Sequence, residues 1–121
     1  READDRTLYC IYSATKGLIA AAAWALIEDG ALSIAERVAE IVPEFGSNGK
    51  EQITVEQLML HVGGFPYAPL APSDWGDRDK RLRAFARWRT TWEPGSRFEY
   101  HPVSAHWVIA EIIERRAGID Y

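Results

Sequence analysis

The feature that most constrains this chain is an alanine-rich apolar stretch from Gly17 to Ile27. Its apolar residues recur at the spacing of an α-helix, and Gly30 follows as a natural C-terminal stop. The pattern predicts a helix over about 13–29, whose apolar part is too short to span a membrane. Lys16 does not fit a helix built only for burial. A helix N-terminus already carries partial positive charge, so a cation near it is mildly unfavourable. Ser13 and Lys16 therefore call for an explanation.

Further helices are predicted by two capping boxes, in which a Ser or Thr cap and a Glu or Gln three residues later satisfy each other's backbone donors. They are Ser33 with Glu36, in a segment closed by Pro43, and Thr54 with Gln57, in a segment ended by Gly63-Gly64. Two later helices are expected from Asp77 to about Arg89 and from Ser104 to Gly118. Strand signals are nearly absent, since "RFEY" at 97–100 is only a short extended piece. The sequence alone therefore indicates a helical unit packed around loops.

Length and charge restrict the possible classes of function. The 121 residues make at most one domain, and the net charge of −4 argues against nucleic acid as the main partner. The only cysteine, Cys10, excludes an internal disulfide and is expected to be a small core residue. Because both ends of the sequence are abrupt, we expect them to be cuts through a larger domain.

Ser13 and Lys16 have the spacing of a nucleophile and its base. Residues three apart on a helix share a face, so the two side chains can exchange a proton. A serine is a weak nucleophile until a base takes its proton, and a lysine can serve when its surroundings favour the neutral amine. The backbone N–H of Ser13 would also point at an oxyanion formed on an attacked carbonyl. From the spacing alone, an ordinary serine cap beside a lysine that reaches water is the plainer interpretation.

Three segments, in order, resemble the serine β-lactamase-like superfamily, in its class C β-lactamase and family VIII carboxylesterase branch. "SATK" at 13–16, followed by "LIEDGALSIAERVAEIVPEF", is similar to the family's SxTK nucleophile helix. "ITVEQLMLHVGGFP" resembles its "IT…LLTHTSGLP" stretch, and "EPGSRFEYHPVSAHWVIAEIIERRAG" resembles "PGxxFxYSNxGYxLLGxIIExxTG". The resemblance implies an α+β fold of the β-lactamase/transpeptidase type, of which this chain holds mainly the helical part.

The resemblance also implies roles for individual residues. Ser13 would be the nucleophile, Lys16 the general base, and Tyr100, at the tyrosine of the family's Y-x-N motif, the proton relay to the leaving group. No cofactor and no metal would be needed. Pro102 stands where the family has asparagine, and proline offers no side-chain amide to a substrate. That departure favours an esterase over a β-lactamase.

The family completes its site with a Lys-Thr-Gly or His-x-Gly motif on a strand far downstream, and no residue after Tyr100 fits it. That strand supplies an oxyanion donor, and loss of one such donor typically costs about 10²–10³ in rate. We therefore expect 1–121 to be a single partial domain without the downstream sheet, and by itself inactive or nearly so.

Several other residues have weaker claims to the site. His101, Trp75 and Trp92 are candidates for substrate contact, although a partly exposed His101 beside a turn is the plainer interpretation. His61 has no metal-ligating partner at useful spacing and is expected to be structural. The basic segment 77–89 is expected to form a solvated helix face over inward-facing aromatics.

The function predicted for the parent protein is a serine hydrolase, most simply a carboxylesterase acting on small or medium acyl esters. Within enzymes, the alternatives are a β-lactamase, a D,D-peptidase or a D-aminopeptidase. An alternative of another class is a non-catalytic binding domain on the same scaffold. The expected partner is a small-molecule ester or amide, with no nucleic acid and no membrane span.

Overall fold

The computed structural model describes residues 2–119; Arg1, Asp120 and Tyr121, which the predicted domain includes, lie outside the described residues. Five α-helices occur in this part of the chain: α1 (Thr15–Glu28), α2 (Val38–Ile41), α3 (Val55–Met59), α4 (Arg78–Arg87) and α5 (Ser104–Ala117). Three 3₁₀ turns accompany them, Tyr12–Ala14, Pro43–Phe45 and Pro72–Asp74. Over residues 2–119 the only β pairing is one antiparallel bridge between Arg37 and Thr54.

Helix α1 follows the predicted stretch but begins two residues late. Ser13 belongs to the 3₁₀ turn before the helix, and the left-handed Gly30, with φ +72°, ends it. Of its apolar residues, Ala23 is fully buried and Ile19 is partly buried, whereas Leu18 is 67% exposed. The apolar face of α1 is therefore only partly covered by the rest of the described chain.

The capping box predicted at Ser33 and Glu36 is wrong. Helix α2 begins only at Val38, because the backbone on either side of Arg37 is already paired with another segment. Val38 N–H donates to Ile53 O at 2.9 Å, and Val55 N–H donates to Glu36 O at 3.0 Å. The Ser33 hydroxyl instead accepts from Ala35 N–H, so tertiary pairing overrides the local cap.

The capping box at Thr54 is confirmed. Thr54 Oγ1 accepts from Gln57 N–H at 3.3 Å, and the Gln57 side chain accepts from Thr54 N–H at 3.1 Å. Helix α3 then ends at Met59, with Leu60 as its C-cap and before Gly63-Gly64, because His61 takes the left-handed backbone conformation with φ +57°. This early turn redirects the chain toward the segment that carries Tyr100.

Helices α4 and α5 are confirmed close to their predicted bounds. Asp77 caps α4 by accepting from Lys80 N–H at 3.0 Å, and the left-handed Gly118 caps α5. The basic face of α4 is partly paired with acidic groups of this chain: Arg78 contacts both Glu111 and Glu114 of α5.

The core lies between α2, α3, α4 and α5. It is built around large aromatic side chains: Phe45, Phe65, Phe85 and Trp88. The expectation that Cys10 is a core residue is wrong, since it is exposed on the segment before α1. The side chain of Glu111 is fully buried, and its carboxylate is paired with Arg78 and with Arg115.

Candidate active site

Ser13 is held on a tight turn immediately before α1. Tyr12 precedes it with φ +44°, a conformation that few non-glycine residues adopt, and Ala14 N–H closes the turn onto Ile11 O at 3.0 Å. Such strain persists where the surrounding structure over-determines the backbone, and it often occurs at functional sites. The turn leaves the Ser13 side chain exposed at the N-terminal end of α1.

Lys16 lies one helical turn after Ser13, as the spacing predicts. Its Nζ donates to Ser13 Oγ at 3.3 Å. The same Nζ atom lies 5.3 Å from the centre of the Tyr100 ring. Lys16 is half-buried, because the segment before α5 and the side chain of His106 lie beside it.

Tyr100 reaches the same serine from a position 87 residues away in the sequence. Its hydroxyl donates to Ser13 Oγ at 2.8 Å. The hydrogen bond with Ser13, followed by the hydrogen bond and charge of Lys16, lowers the pKa of the Tyr100 phenol. The three residues predicted as a catalytic group thus meet at one oxygen atom, in reach of proton transfer.

All three histidines of the chain gather beneath this group. The His61 ring lies 4.9 Å from the Tyr100 ring, 5.8 Å from that of His101 and 5.4 Å from that of His106. Burial is the first cause that lowers the pKa of each, and it brings the pKa of His106 to about 4. The site therefore rests on neutral imidazoles. Sequence reasoning missed His106, because nothing in the local pattern of α5 distinguishes it from a surface position.

The expected partial exposure of His101 is wrong. The side chain is fully buried, its Nε2 accepts from Phe65 N–H at 3.1 Å, and its Nδ1 lies 2.6 Å from Glu99 O. This pattern places the ring proton on Nδ1. Because both ring nitrogens are bonded to the backbone, His101 joins two loops and offers no atom to a substrate.

An apolar groove of about 560 Å³ runs between α1 and α5 and begins at Lys16. Trp75, one of the predicted substrate contacts, lines it, and so does Pro102. Trp92 does not line this groove; its ring packs under the Arg97 guanidinium, 4.7 Å away. Of these two predicted substrate contacts, only Trp75 therefore lines the groove that begins at Lys16.

No cluster suited to a metal ion occurs within residues 2–119. The convergent histidines do not form one, because His61 Nδ1 accepts from His101 N–H and both nitrogens of His101 are bonded. In the described part of the chain, no helix is long and apolar enough to cross a membrane.

Comparison with known proteins places this geometry in a family. The Beta-lactamase family model matches residues 1–121. This chain belongs to the β-lactamase family. The family consists of serine hydrolases of the β-lactamase type, including esterases and penicillin-binding-protein-like members, so the predicted superfamily and fold are confirmed.

Solved structures with the same fold include a carboxylesterase and a penicillin-binding-protein homologue. A family VIII carboxylesterase is 34% identical with a TM-score of 0.78, over 88% of this chain and 30% of that chain. A penicillin-binding protein homologue from Caulobacter crescentus is 33% identical with a TM-score of 0.78, over 89% and 30%. EstA from Arthrobacter nitroguajacolicus Rue61a is 29% identical with a TM-score of 0.79, over 89% and 30%.

Among curated proteins, the esterase/beta-lactamase LipL of Mycobacterium tuberculosis is 41% identical over 54 residues. That match covers 45% of this chain and 13% of LipL. The chain therefore spans about 30% of the length of the solved relatives and a smaller share of LipL.

Proposed function

We propose that the whole protein is a carboxylesterase that works through an acyl-enzyme on Ser13. The observation that carries the proposal is the convergence of Lys16 Nζ, at 3.3 Å, and the Tyr100 hydroxyl, at 2.8 Å, on Ser13 Oγ. A serine hydroxyl in contact with two groups that exchange protons is the arrangement that nucleophilic catalysis requires.

The proposed reaction has two stages. In the first, Ser13 Oγ forms a bond to the ester carbonyl carbon while Lys16, with its amine neutral, takes the hydroxyl proton. The tetrahedral intermediate collapses, the C–O bond to the alcohol breaks, and the proton passes through the Tyr100 phenol to the departing alkoxide. In the second, water forms a bond to the acyl carbonyl carbon and gives its proton to Lys16 or Tyr100. The bond between the acyl carbon and Ser13 Oγ then breaks, and the proton passes to Ser13 Oγ, which releases the carboxylic acid and the free serine.

The lowered pKa of Tyr100 supports its role as the relay. A relay must give up its proton readily and take it back, which an ordinary phenol does poorly near neutral pH. The hydrogen bond with Ser13 and the neighbouring Lys16 both favour the phenolate and reduce this difficulty.

Two features favour an ester over a β-lactam substrate. Pro102 lines the groove at the position where the family pattern has an amide side chain, and it can donate no hydrogen bond. The groove beyond Lys16 is lined mostly by apolar side chains, including Leu18 and Trp107, which suit an acyl chain of small or medium size. A β-lactamase or a peptidase acting on D-amino acids is the second candidate, which its penicillin-binding-protein-like relative keeps open.

The test is to incubate the 121-residue chain, and a longer protein that contains it, with p-nitrophenyl butyrate and with a fluorophosphonate, followed by intact mass. We expect one adduct at Ser13 in the longer protein, lost in Lys16→Ala and slowed in Tyr100→Phe. The matched controls Ser73→Ala and Lys80→Ala change exposed residues of the same types as Ser13 and Lys16, away from the site. In line with the expected inactivity of the short chain, we expect it to react slowly or not at all.

The outcomes separate the alternatives. Faster turnover of the cephalosporin nitrocefin than of the ester would favour the β-lactamase. If no protein forms an adduct at Ser13, the catalytic proposal is refuted, and a binding domain on this scaffold becomes the better explanation.

A further inference from the structure

His61 is bonded to the chain on both sides of Tyr100. Its carbonyl oxygen accepts from Glu99 N–H at 3.2 Å, and its ring Nδ1 accepts from His101 N–H at 3.0 Å. Its ring also packs against the Tyr100 ring at 4.9 Å. The residues immediately before and after Tyr100 are therefore both fixed to one residue of a different loop.

We propose that His61 is a positioning residue for Tyr100, which holds the phenol at hydrogen-bond distance from Ser13. The inference rests on the proposed function, because the value of that position lies in the proton relay. Tyr100 is 42% exposed and belongs to no helix or strand within residues 2–119, so regular secondary structure does not fix its backbone. The two bonds to His61 supply that restraint.

The restraint requires a particular form of the imidazole. Nδ1 must be unprotonated to accept from His101 N–H, which places the ring proton on Nε2. The groups that face the ring are Lys16 on α1, His106 on α5, and His101 and Tyr100 on the segment before α5. Burial, together with His101 and Lys16, lowers the pKa of His61 and so keeps the ring neutral.

The backbone of His61 is part of the same arrangement. Its left-handed conformation, φ +57°, turns the chain so that carbonyl and ring both face residues 99–101. Asparagine tolerates this conformation better than most residues, and its side-chain oxygen lies near the place of Nδ1. His61→Asn therefore keeps the acceptor, whereas His61→Phe keeps a ring against Tyr100 and removes the acceptor.

The first measurement does not depend on catalysis. The phenol of Tyr100 is titrated by absorbance near 295 nm. Each protein is compared with the same protein carrying Tyr100→Phe, and the difference removes the signal of the other four tyrosines. We expect the Tyr100 pKa to stay low in His61→Asn and to return toward its ordinary value of about 10 in His61→Phe. An unchanged titration in His61→Phe would overturn the proposal.

The second measurement is the rate of Ser13 labelling by a fluorophosphonate in the longer protein. We expect His61→Phe to slow labelling roughly 10–100-fold and His61→Asn to stay within a few-fold of the original rate, because small displacements of a relay are costly. In the Tyr100→Phe background, His61→Phe should cost nothing further, since it acts through the tyrosine. Full additivity of the two substitutions would contradict that route.

The stability control is Thr54→Ala, which removes the α3 cap without touching residues 99–101. It should leave both measurements unchanged. If His61→Phe does not fold, His61→Gly replaces it, because glycine adopts the left-handed backbone without strain and also lacks the acceptor. A shifted titration without any Ser13 adduct would refute the proposed function alone. An adduct at an unaltered rate in His61→Phe would refute the positioning role alone.

Discussion

Acid is expected to destabilise this chain through His106. The side chain is partly buried on α5, and its Nδ1 atom is fully buried with no hydrogen-bond partner. Burial first, and then the charges of Lys16, His61 and His101, lower the pKa of His106 from 6.5 to about 4. A proton is therefore bound more tightly by the unfolded chain than by the folded one.

The sign and size of the effect follow from these two values. Stability is fully present above the unfolded pKa of 6.5 and is lost as the pH falls toward the folded value of about 4. Since one pKa unit corresponds to about 1.4 kcal/mol, the limiting loss is about 3 kcal/mol, of which about 2 kcal/mol falls between pH 7 and pH 5. Most carboxylates titrate below this window, so it isolates the histidines.

The assay is urea unfolding at pH 7 and at pH 5, followed by tryptophan fluorescence, for the original chain and for His106→Gln. The variant cannot take up a proton at this position, so its free energy of unfolding should fall by about 2 kcal/mol less than that of the original chain. The contributions of His61 and His101 are common to both proteins and largely cancel in the comparison. An equal loss of stability in both proteins would refute the assignment of the effect to His106.

Three further predictions concern the stability of the fold. Thr54→Ala should lower the free energy of unfolding by about 1 kcal/mol and Thr54→Ser by less, measured by urea unfolding, because only the alanine loses the confirmed capping bond. Gly118→Ala should cost about 1 kcal/mol although a Cβ there meets no neighbour, because φ is +67°; thermal melting detects it, and an unchanged melting temperature would contradict the reason given. Arg115→Met should cost about 3 kcal/mol or more, because it takes one partner from the buried Glu111, and the double variant Arg115→Met/Glu111→Leu should recover part of that loss in the same assay.

Local patterns in the sequence determined most of the helices. The alanine-rich run predicted α1, the Thr54 capping box predicted α3, and the caps at Asp77 and Gly118 marked α4 and α5. These features depend on residues within one or two turns of each other. The interactions that start and end these helices can therefore be recognised within a short stretch of sequence.

The pairing of Ser13 with Lys16 belongs to the same class, because one helical turn brings them together. The contact of Tyr100 with Ser13 does not belong to that class, because it depends on tertiary structure. The role of Tyr100 was predicted only from the resemblance to a family. It lies 87 residues from the serine in the sequence, and the residues around it do not indicate which segment its side chain contacts.

Tertiary structure alone decided the rest. The backbone around Arg37 pairs with another segment, and this pairing prevents the Ser33 cap. His101 is buried and Cys10 is exposed, both contrary to expectation. Three histidines, from two loops and a helix, lie side by side. Each outcome depends on which distant segment satisfies a backbone donor or covers a side chain. That partner is chosen by the packing of the whole chain, so no local pattern records it.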